Sequence, residues 1–243
     1  MKSSIFILTG IAFLASACNI STGDRDKIDD TQQIEMIDPC RESQALTHKE
    51  LEDFELGIAS TWWLSTDGTG TVDPMPGREP EATLIEGGRC GVSKYALNIR
   101  TEGTTIFGGA MGLNFMFPTD ASEYDGIAFW GRVEPESNQR VIFFGVSETN
   151  TDEWSSQRYS EDDTPSCLEV TDDDSQKCDR FGIAVGLGEE WRFIKLPFSK
   201  FAQRGYGQVV PEGMDTTNLF GLNIGFGAGD FNFWIDDISF YKE

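Results

Sequence analysis

The last strand-like stretch, residues 231–241, constrains the fold more than any other part of the sequence. Apolar residues occupy alternate positions as far as Ile235 and continue from Ile238 on the opposite parity. Alternation is typical of a half-buried β-strand, and the change of parity predicts a β-bulge, because one extra residue turns the following side chains to the other face. The change falls on Asp236 and Asp237. Two adjacent carboxylates inside an apolar strand need solvent, hydrogen-bond donors or a cation.

A second stretch that mixes acidic and apolar residues lies at 51–57, near the start of the predicted folded part. The first and last strands of closed β-sandwiches often pair, and such pairing would bring Glu55 close to Asp237. Carboxylate oxygens are ligands that hard cations such as Ca²⁺ prefer. We therefore predict that the two ends of the domain meet on one hard metal ion.

Short strand-like runs separated by Gly, Pro, Asp and Asn fill the chain between these ends. About ten runs without sustained helical periodicity predict an all-β fold, an antiparallel β-sandwich of the jelly-roll type. Residues 141–146 are apolar on both parities, which predicts a central strand that is covered on both faces or faces a ligand groove on one. One or two helical turns are expected within 198–204. The predicted strands are 51–56, 60–65, 94–101, 109–117, 125–133, 139–147, 181–187, 190–197, 218–226 and 231–241.

Both ends of the predicted domain, and three segments between them, resemble one known family. The opening Asp-Phe-Glu-x-Gly at 53–57 and the closing Trp-Ile-Asp-Asp-Ile-Ser-Phe-Tyr at 234–241 resemble the ends of galactose-binding-like jelly rolls. The nearest variants are the family 11 carbohydrate-binding modules and the complex I intermediate-associated protein 30 domains. Segments 91–100, 108–115 and 124–132 resemble the inner strands of that family in the same order.

The resemblance implies a structural calcium ion. In that family a glutamate after the opening Phe and an aspartate of the closing strand ligate calcium, and they correspond to Glu55 and Asp237. Asp236 is a further candidate carboxylate, and backbone carbonyls of Gly57 and of residues 93–94 would complete the shell. The alternative is that these acids only line the rim of the domain.

The beginning of the chain has the features of a bacterial export signal. A lysine, an apolar run at residues 5–14 that is too short to span a bilayer, and small residues before Cys18 predict a signal peptide at residues 1–17. Cys18 directly after the small residues resembles a lipobox and predicts lipidation of Cys18, with ordinary cleavage after Ala17 as the alternative. We expect a lipid-anchored, extracytoplasmic protein of the cell envelope, in the outer membrane if the cell is Gram-negative.

Residues 18–48 are rich in polar side chains and predict a flexible linker before a folded domain at 49–243. Four cysteines remain beyond the lipidation site, and exported proteins usually pair them. Three pairings are possible; proximity favours Cys167–Cys178, which leaves Cys40–Cys90. A zinc site is disfavoured because no Cys-x2-Cys spacing occurs and the single histidine lies apart from the cysteines.

The chain is strongly acidic, with 41 Asp and Glu against 19 Lys and Arg and a formal net charge of −22. Removal of residues 1–17 takes away one lysine and no acid, so the mature charge becomes −23. Such a surface repels nucleic acid, which we exclude as a partner. We expect a monomer.

Sugar recognition needs an aromatic platform for the apolar face of a pyranose and planar polar groups for its hydroxyls. Loops of jelly rolls usually carry binding function, and residues 66–77 and 147–179 predict two long irregular stretches. Core packing is the alternative for every aromatic candidate. The ligand-binding candidates are Trp63, Arg132, Trp154 and Tyr159, with Trp130 and Tyr206 as further members.

The sequence predicts a non-catalytic protein. The only histidine, His48, precedes the predicted domain, and the sequence has no nucleophile elbow, His-Glu-x-x-His or phosphate loop. A pair of carboxylates is the one enzymatic route that the composition allows. We therefore expect a module that binds a poly- or oligosaccharide, and the alternative is a protein interaction or assembly module on the same fold.

Overall fold

The structure is a computed structural model, and it describes residues 40–41, 43, 46–58, 61–73, 82–153 and 165–243. Three groups of predicted features lie outside these residues. They are the signal peptide with the lipidation site Cys18, the linker as far as residue 39, and the ligand-binding candidates Trp154 and Tyr159.

The described residues form twelve β-strands and two short 3-10 segments, Asp174–Gln176 and Phe198–Lys200. Every pairing between these strands is antiparallel. The predicted all-β class is therefore confirmed. The strands are β1 (Thr47–Glu52), β2 (Trp62–Thr66), β3 (Thr71–Asp73), β4 (Ala82–Arg89), β5 (Ser93–Thr104), β6 (Gly109–Thr119), β7 (Gly126–Val133), β8 (Val141–Glu148), β9 (Phe181–Gly186), β10 (Arg192–Pro197), β11 (Leu219–Phe226) and β12 (Gly229–Lys242).

The strands form two sheets, which we name after their central strands. The β12 sheet has the order β10-β7-β12-β5-β3, with β1 beside β12 and β4 beside β5. The β11 sheet has the order β2-β6-β11-β8-β9. The first and last strands pair, as the sequence predicts: Thr47 lies opposite Lys242 and Glu50 opposite Ser239.

An apolar core joins the two sheets through their inward-facing side chains. Phe129 of the β12 sheet stacks on Phe144 of the β11 sheet, with ring centroids 5.1 Å apart. Phe226 and Phe233 make a second contact of this kind at 5.7 Å. All four rings are at most 2% exposed. Burial of a ring of this size stabilises the fold by a few kcal/mol, so the contacts fix how the sheets face each other.

The predicted bulge in β12 is confirmed. Asp236 pairs with Trp130 and Ser239 with Ala128, so β12 carries one residue more than β7 over this interval. Asp237 has a φ of 47°, a left-handed conformation that Asp tolerates better than most residues. The bulge lies where β12 changes its neighbour, because its first part pairs with β5 and its last part with β1.

Two strands were not predicted, and one prediction was displaced. β3 lies in a stretch that was interpreted as an irregular loop, and β4 lies in a stretch for which no strand was predicted. β3 has only three residues, and β4 is a largely exposed edge strand whose polar residues hide the apolar alternation. β1 begins at Thr47, inside the predicted linker, for the same reason. It ends at Glu52 because Phe54 turns the chain with a φ of 60°.

The structure contains both predicted disulfides, Cys40–Cys90 and Cys167–Cys178. The first ties the residues before β1 to the turn between β4 and β5. The second closes a loop across a sequence separation of 11 residues. Each restricts the unfolded chain and thereby stabilises the fold, by roughly 3 kcal/mol for a loop of this shorter length.

A buried ion pair lies at the bulge. The Nε of Arg89 donates to Asp236 Oδ2 at 2.8 Å, and its terminal NH2 group donates to Asp237. Arg89 is 3% exposed and Asp236 is fully buried. The guanidinium also lies over the ring of Trp130, 4.6 Å from its centroid. A carboxylate so deeply buried is stable only with such a partner, since desolvation of an unpaired charge is costly.

Replacing the guanidinium by an apolar group of similar length tests the importance of this pair. We expect Arg89→Met to lower the free energy of unfolding by roughly 3 kcal/mol or more, because Asp236 loses its cation and stays buried. Urea denaturation measures the effect. The matched control is Arg100→Met on the exposed side of β5, for which we expect a change within about 0.5 kcal/mol. Equal losses in the two variants would contradict the assigned role.

Candidate binding groove and the carboxylate cluster at the bulge

The outer face of the β11 sheet carries unusually small side chains. Inward-facing residues of β6 and β11, such as Met111 and Ile224, are fully buried. The alternate positions face outward and leave the backbone uncovered. These outward positions include Ser65, Ala110, Gly112, Gly145, Gly182, Ala184, Asn223 and Gly225.

Two aromatic rings lie directly on this glycine-rich surface. A Cβ atom at Gly112 would be 2.4 Å from the indole of Trp63, and one at Gly182 would be 2.5 Å from the ring of Phe143. Any side chain at either glycine would therefore displace the ring above it. Trp63 is on β2 and Phe143 on β8, so three strand spacings of about 4.8 Å, or about 14 Å, separate them.

A continuous groove runs between the two rings. It consists of adjoining cavities of about 510 Å³ on the Trp63 side and about 670 Å³ on the Phe143 side. Both cavities are lined by Ala110, Arg180 and Asn223. Volumes of this size are typical of sites for small ligands, and the open shape suits an extended one.

Polar side chains lie along the groove between the rings. Arg180 donates through Nε to Ser147 Oγ at 3.0 Å and forms an ion pair with Glu169. Asp152 and Asn114 line the half of the groove next to Trp63. The groove therefore combines flat apolar platforms with planar donors and acceptors.

A short segment, residues 203–208, borders the other half of the groove, and we call it the arm. The buried carboxylate of Asp179 accepts hydrogen bonds from three successive backbone N–H groups, those of Arg204 at 3.1 Å, Gly205 at 2.6 Å and Tyr206 at 3.2 Å. The guanidinium of Arg204 lies 4.8 Å from the ring centroid of Phe143 and 5.5 Å from that of Tyr206. The arm thus holds a cation over the groove.

The structure places the predicted ligand-binding residues on different faces. Trp63 lies in the groove, and Tyr206 reaches it from the arm. Arg132 does not lie with them, because β7 belongs to the β12 sheet; it pairs with Glu134 at 2.7 Å. Its guanidinium lies near two indoles, those of Trp191 at 5.5 Å and Trp234 at 5.2 Å. Trp130 is 1% exposed and is a core residue.

Sequence reasoning missed the groove residues Phe143, Arg180 and Arg204. One signal pointed to Phe143, since residues 141–146 predicted a strand with one face on a ligand groove. β8 is flanked by β11 and β9, and Phe143 faces the groove as that alternative requires. No sequence signal identified the arginines, because Arg180 is positioned by Ser147, 33 residues away in the sequence, and Arg204 by Asp179, 25 residues away.

The predicted metal residues gather at the bulge. Glu55 Oε1 accepts from the backbone N–H of Lys94 at 2.6 Å and of Tyr95 at 2.9 Å. The hydroxyl of Ser93 lies 3.1 Å from Glu55 Oε1 and 2.6 Å from Asp236 Oδ2, so it connects the two carboxylates. Burial raises the pKa of Glu55, but the hydrogen bonds from Tyr95 and Lys94 outweigh it and the pKa is lowered.

Burial, with the neighbouring Asp237, raises the pKa of Asp236 to about 6. Burial also raises the pKa of Asp237, and Asp53 and Glu55 contribute to this rise while Arg89 opposes it. The cluster therefore contains more carboxylates than its one arginine neutralises, which favours an additional cation.

The donor set at the bulge fits a calcium ion only in part. Oxygen ligands and excess negative charge suit a hard cation. However, Arg89 occupies one oxygen of Asp236 and one of Asp237, and no group of three or more His, Cys, Asp or Glu side chains within the described ranges is arranged to hold a metal. Gly57 ends the turn that follows Phe54, where its N–H donates to the Phe54 carbonyl at 3.2 Å. Calcium at Glu55 and Asp237 stays a prediction.

One carboxyl group near the groove has a raised pKa, as a general acid would. Burial raises the pKa of Glu148, which is fully buried at the end of β8. Glu148 lies on the same face of β8 as Phe144 and Val146, which point into the core. Phe143 and Ser147 lie on the opposite face, which borders the groove. Glu148 is therefore on the wrong side of the sheet to act on a ligand in the groove.

Solved structures with the same fold include carbohydrate-binding modules. A family 11 carbohydrate-binding module from Clostridium thermocellum, in complex with a β-1,3-1,4-mixed-linked tetrasaccharide, has a TM-score of 0.55 and 17% identity, over 80% of this chain and 95% of the module. A family 11 module of a cellulosomal cellulase from the same organism has a TM-score of 0.53 and 16% identity, over 82% and 96%. The resemblance of the fold to family 11 modules is confirmed.

An exo-β-agarase has a TM-score of 0.50 and 11% identity, over 81% of this chain and 25% of the agarase. Identities this low establish the fold and leave the ligand open. No family model matches the sequence, and no curated protein matches it.

Proposed function

We propose that this chain is a non-catalytic carbohydrate-binding protein of the bacterial cell envelope, anchored by lipid on Cys18 and stabilised by calcium. The observation that carries the proposal is the pair of rings, Trp63 and Phe143, that pack against glycines in one open groove. The indole of Trp63 offers apolar surface to the C–H face of a pyranose, and Phe143 adds an apolar wall beside Arg204. The polar groups between the rings suit the hydroxyls of a sugar.

The fold supports the same class of ligand. The family 11 module noted above was solved with a mixed-linked tetrasaccharide, and this chain covers nearly all of that module. Two platforms about 14 Å apart favour an oligosaccharide or a polysaccharide over a single sugar. We propose no catalytic role, since the carboxyl group with a raised pKa beside the groove, Glu148, faces the core.

A protein interaction module is the second candidate function. Met116 and Phe117, at the end of β6, are 74% and 71% exposed. Exposed apolar side chains favour a protein partner when they form part of a larger patch. The complex I intermediate-associated resemblance supports the same alternative.

Removing both platforms tests the groove. We expect Trp63→Ala combined with Phe143→Ala to weaken retention by a bound polysaccharide at least tenfold, because each stacked ring contributes on the order of 1 kcal/mol beyond its buried area. Affinity electrophoresis against a set of soluble polysaccharides measures retention. Tyr95→Ala, on the β12 sheet, is the control and should be retained like the parent. Equal retention of the double variant would rule out the groove.

Lipidation of Cys18 is the basis of the proposed location. No helix in the part of the chain that the structure describes has the length and apolar character to cross a bilayer. We expect intact-mass analysis of protein extracted from membranes to show an acylated N-terminal Cys18. An unmodified chain that begins at Cys18 and is recovered without detergent would reject the anchor, and Cys18→Ser should release the protein from membranes.

Calcium at Glu55 and Asp237 has its own test. A cation that binds only the folded chain stabilises it by RT ln(1 + [L]/Kd), roughly 2.7 kcal/mol at a hundredfold excess over Kd. We expect EDTA to lower the melting temperature of the parent by several degrees and to have no effect on Asp237→Asn. Asp172→Asn, in an exposed loop, should keep the sensitivity. Superimposable parent melting curves with and without EDTA would remove calcium from the proposal.

A further inference from the structure

Arg204 is a pre-positioned cation in the groove. Its guanidinium is stacked close to the rings of Phe143 and Tyr206. Its backbone is fixed by the buried Asp179, and the arm is held further by Gln203, whose Nε2 donates to the carbonyls of Asp179 at 2.8 Å and Gln208 at 2.7 Å. Stacking and these hydrogen bonds limit the conformational entropy that the side chain would lose on binding a ligand.

The guanidinium of Arg204 keeps its donors available. Three other arginines are paired with carboxylates, namely Arg89 with Asp236, Arg132 with Glu134 and Arg140 with Glu189. Arg204 forms no ion pair and no side-chain hydrogen bond with any residue that the structure describes, although acids outnumber bases by more than two to one.

Two charged groups close to Arg204, Arg180 and Asp179, have partners of their own among the described residues. Arg180 forms an ion pair with Glu169. Asp179 is 1% exposed and accepts from three backbone N–H groups of the arm, so its oxygens are aimed at the backbone of the arm. The planar edge of a guanidinium that is stacked on aromatic rings matches the geometry of a carboxylate or sulfate, to which it can donate two parallel hydrogen bonds.

We propose that Arg204 forms an anion subsite and that the ligand is an acidic glycan, one that carries carboxylate or sulfate ester groups. The inference rests on the proposed carbohydrate function and narrows its substrate class. The negative charge of the whole chain repels an anionic ligand at long range. Ions at physiological salt screen this repulsion beyond about 8 Å, whereas the contact with Arg204 acts at short range.

The test compares acidic oligosaccharides with neutralised counterparts of the same backbone. The probes are oligogalacturonates and carboxyl-reduced oligogalacturonates for the carboxylate source, and κ-carrageenan oligosaccharides with their desulfated forms for the sulfate source. Isothermal titration calorimetry with the full-length chain in detergent, at 0.15 M NaCl, gives the affinities. We expect one acidic probe to bind at least tenfold more tightly than its neutral counterpart, because hydrogen bonds to charged groups are the stronger ones.

Variants assign that preference to the arm. Arg204→Gln should abolish the preference for the acidic probe and leave binding of its neutral counterpart within about threefold of the parent. Arg192→Gln, which removes an exposed charge on the other sheet, should keep the preference. Arg204→Lys should retain only part of it, because an ammonium lacks the planar fork.

Three results overturn the inference and leave the proposed function intact. In the first, the parent binds acidic and neutral probes with equal affinity, and Trp63→Ala combined with Phe143→Ala loses binding to both. In the second, the parent prefers acidic probes and Arg204→Gln does not change that preference. In the third, Arg204→Gln weakens both probes equally, so the arginine serves sugar hydroxyls and the acidic class is wrong. Absence of binding to every probe overturns the inference together with the proposed function.

Discussion

The buried pairing of Arg89 with the two aspartates of the bulge is the interaction on which the β12 sheet depends. The bulge lies where β12 leaves β5 and begins to pair with β1, and it turns one carboxylate into the protein interior. Such a carboxylate destabilises the fold unless a donor or cation meets it. Arg89 meets it from the end of β4, next to a disulfide-bonded cysteine. The opening strand, the closing strand and the β4–β5 turn are thereby joined at one point.

The groove on the opposite sheet depends on a different constraint, the absence of side chains. Gly112 and Gly182 leave room for rings to lie on the backbone, and a single methyl group at either position would lift its ring. Core packing on the inner face, through contacts such as Phe129 on Phe144, holds in place the sheet that carries them. The two sheets have separate tasks: the β12 sheet closes the chain ends, and the β11 sheet presents a surface.

Sequence reasoning succeeded where the information was local or periodic. Of the twelve strands in the part of the chain that the structure describes, ten followed from short apolar runs and turn residues, β1 with displaced bounds. The bulge at Asp236 followed from a change of parity within one strand. The disulfides followed from cysteine number and proximity. It failed for β3 and β4, where exposure removes the apolar alternation. It also did not separate Arg132 from Trp63, because alternation gives a face of a strand but not the sheet to which that strand belongs.

The sequence by itself determined the all-β class, the pairing of the ends and the accumulation of carboxylates at the bulge, because these follow from side-chain order along single strands. The tertiary structure decided which cation meets those carboxylates and which residues share the groove. Trp63, Phe143 and Arg204 are far apart in the chain and come together only through the order β2-β6-β11-β8-β9 and the arm fixed by Asp179. Strand order is set by long-range packing of two sheets, and no local pattern of residues encodes it.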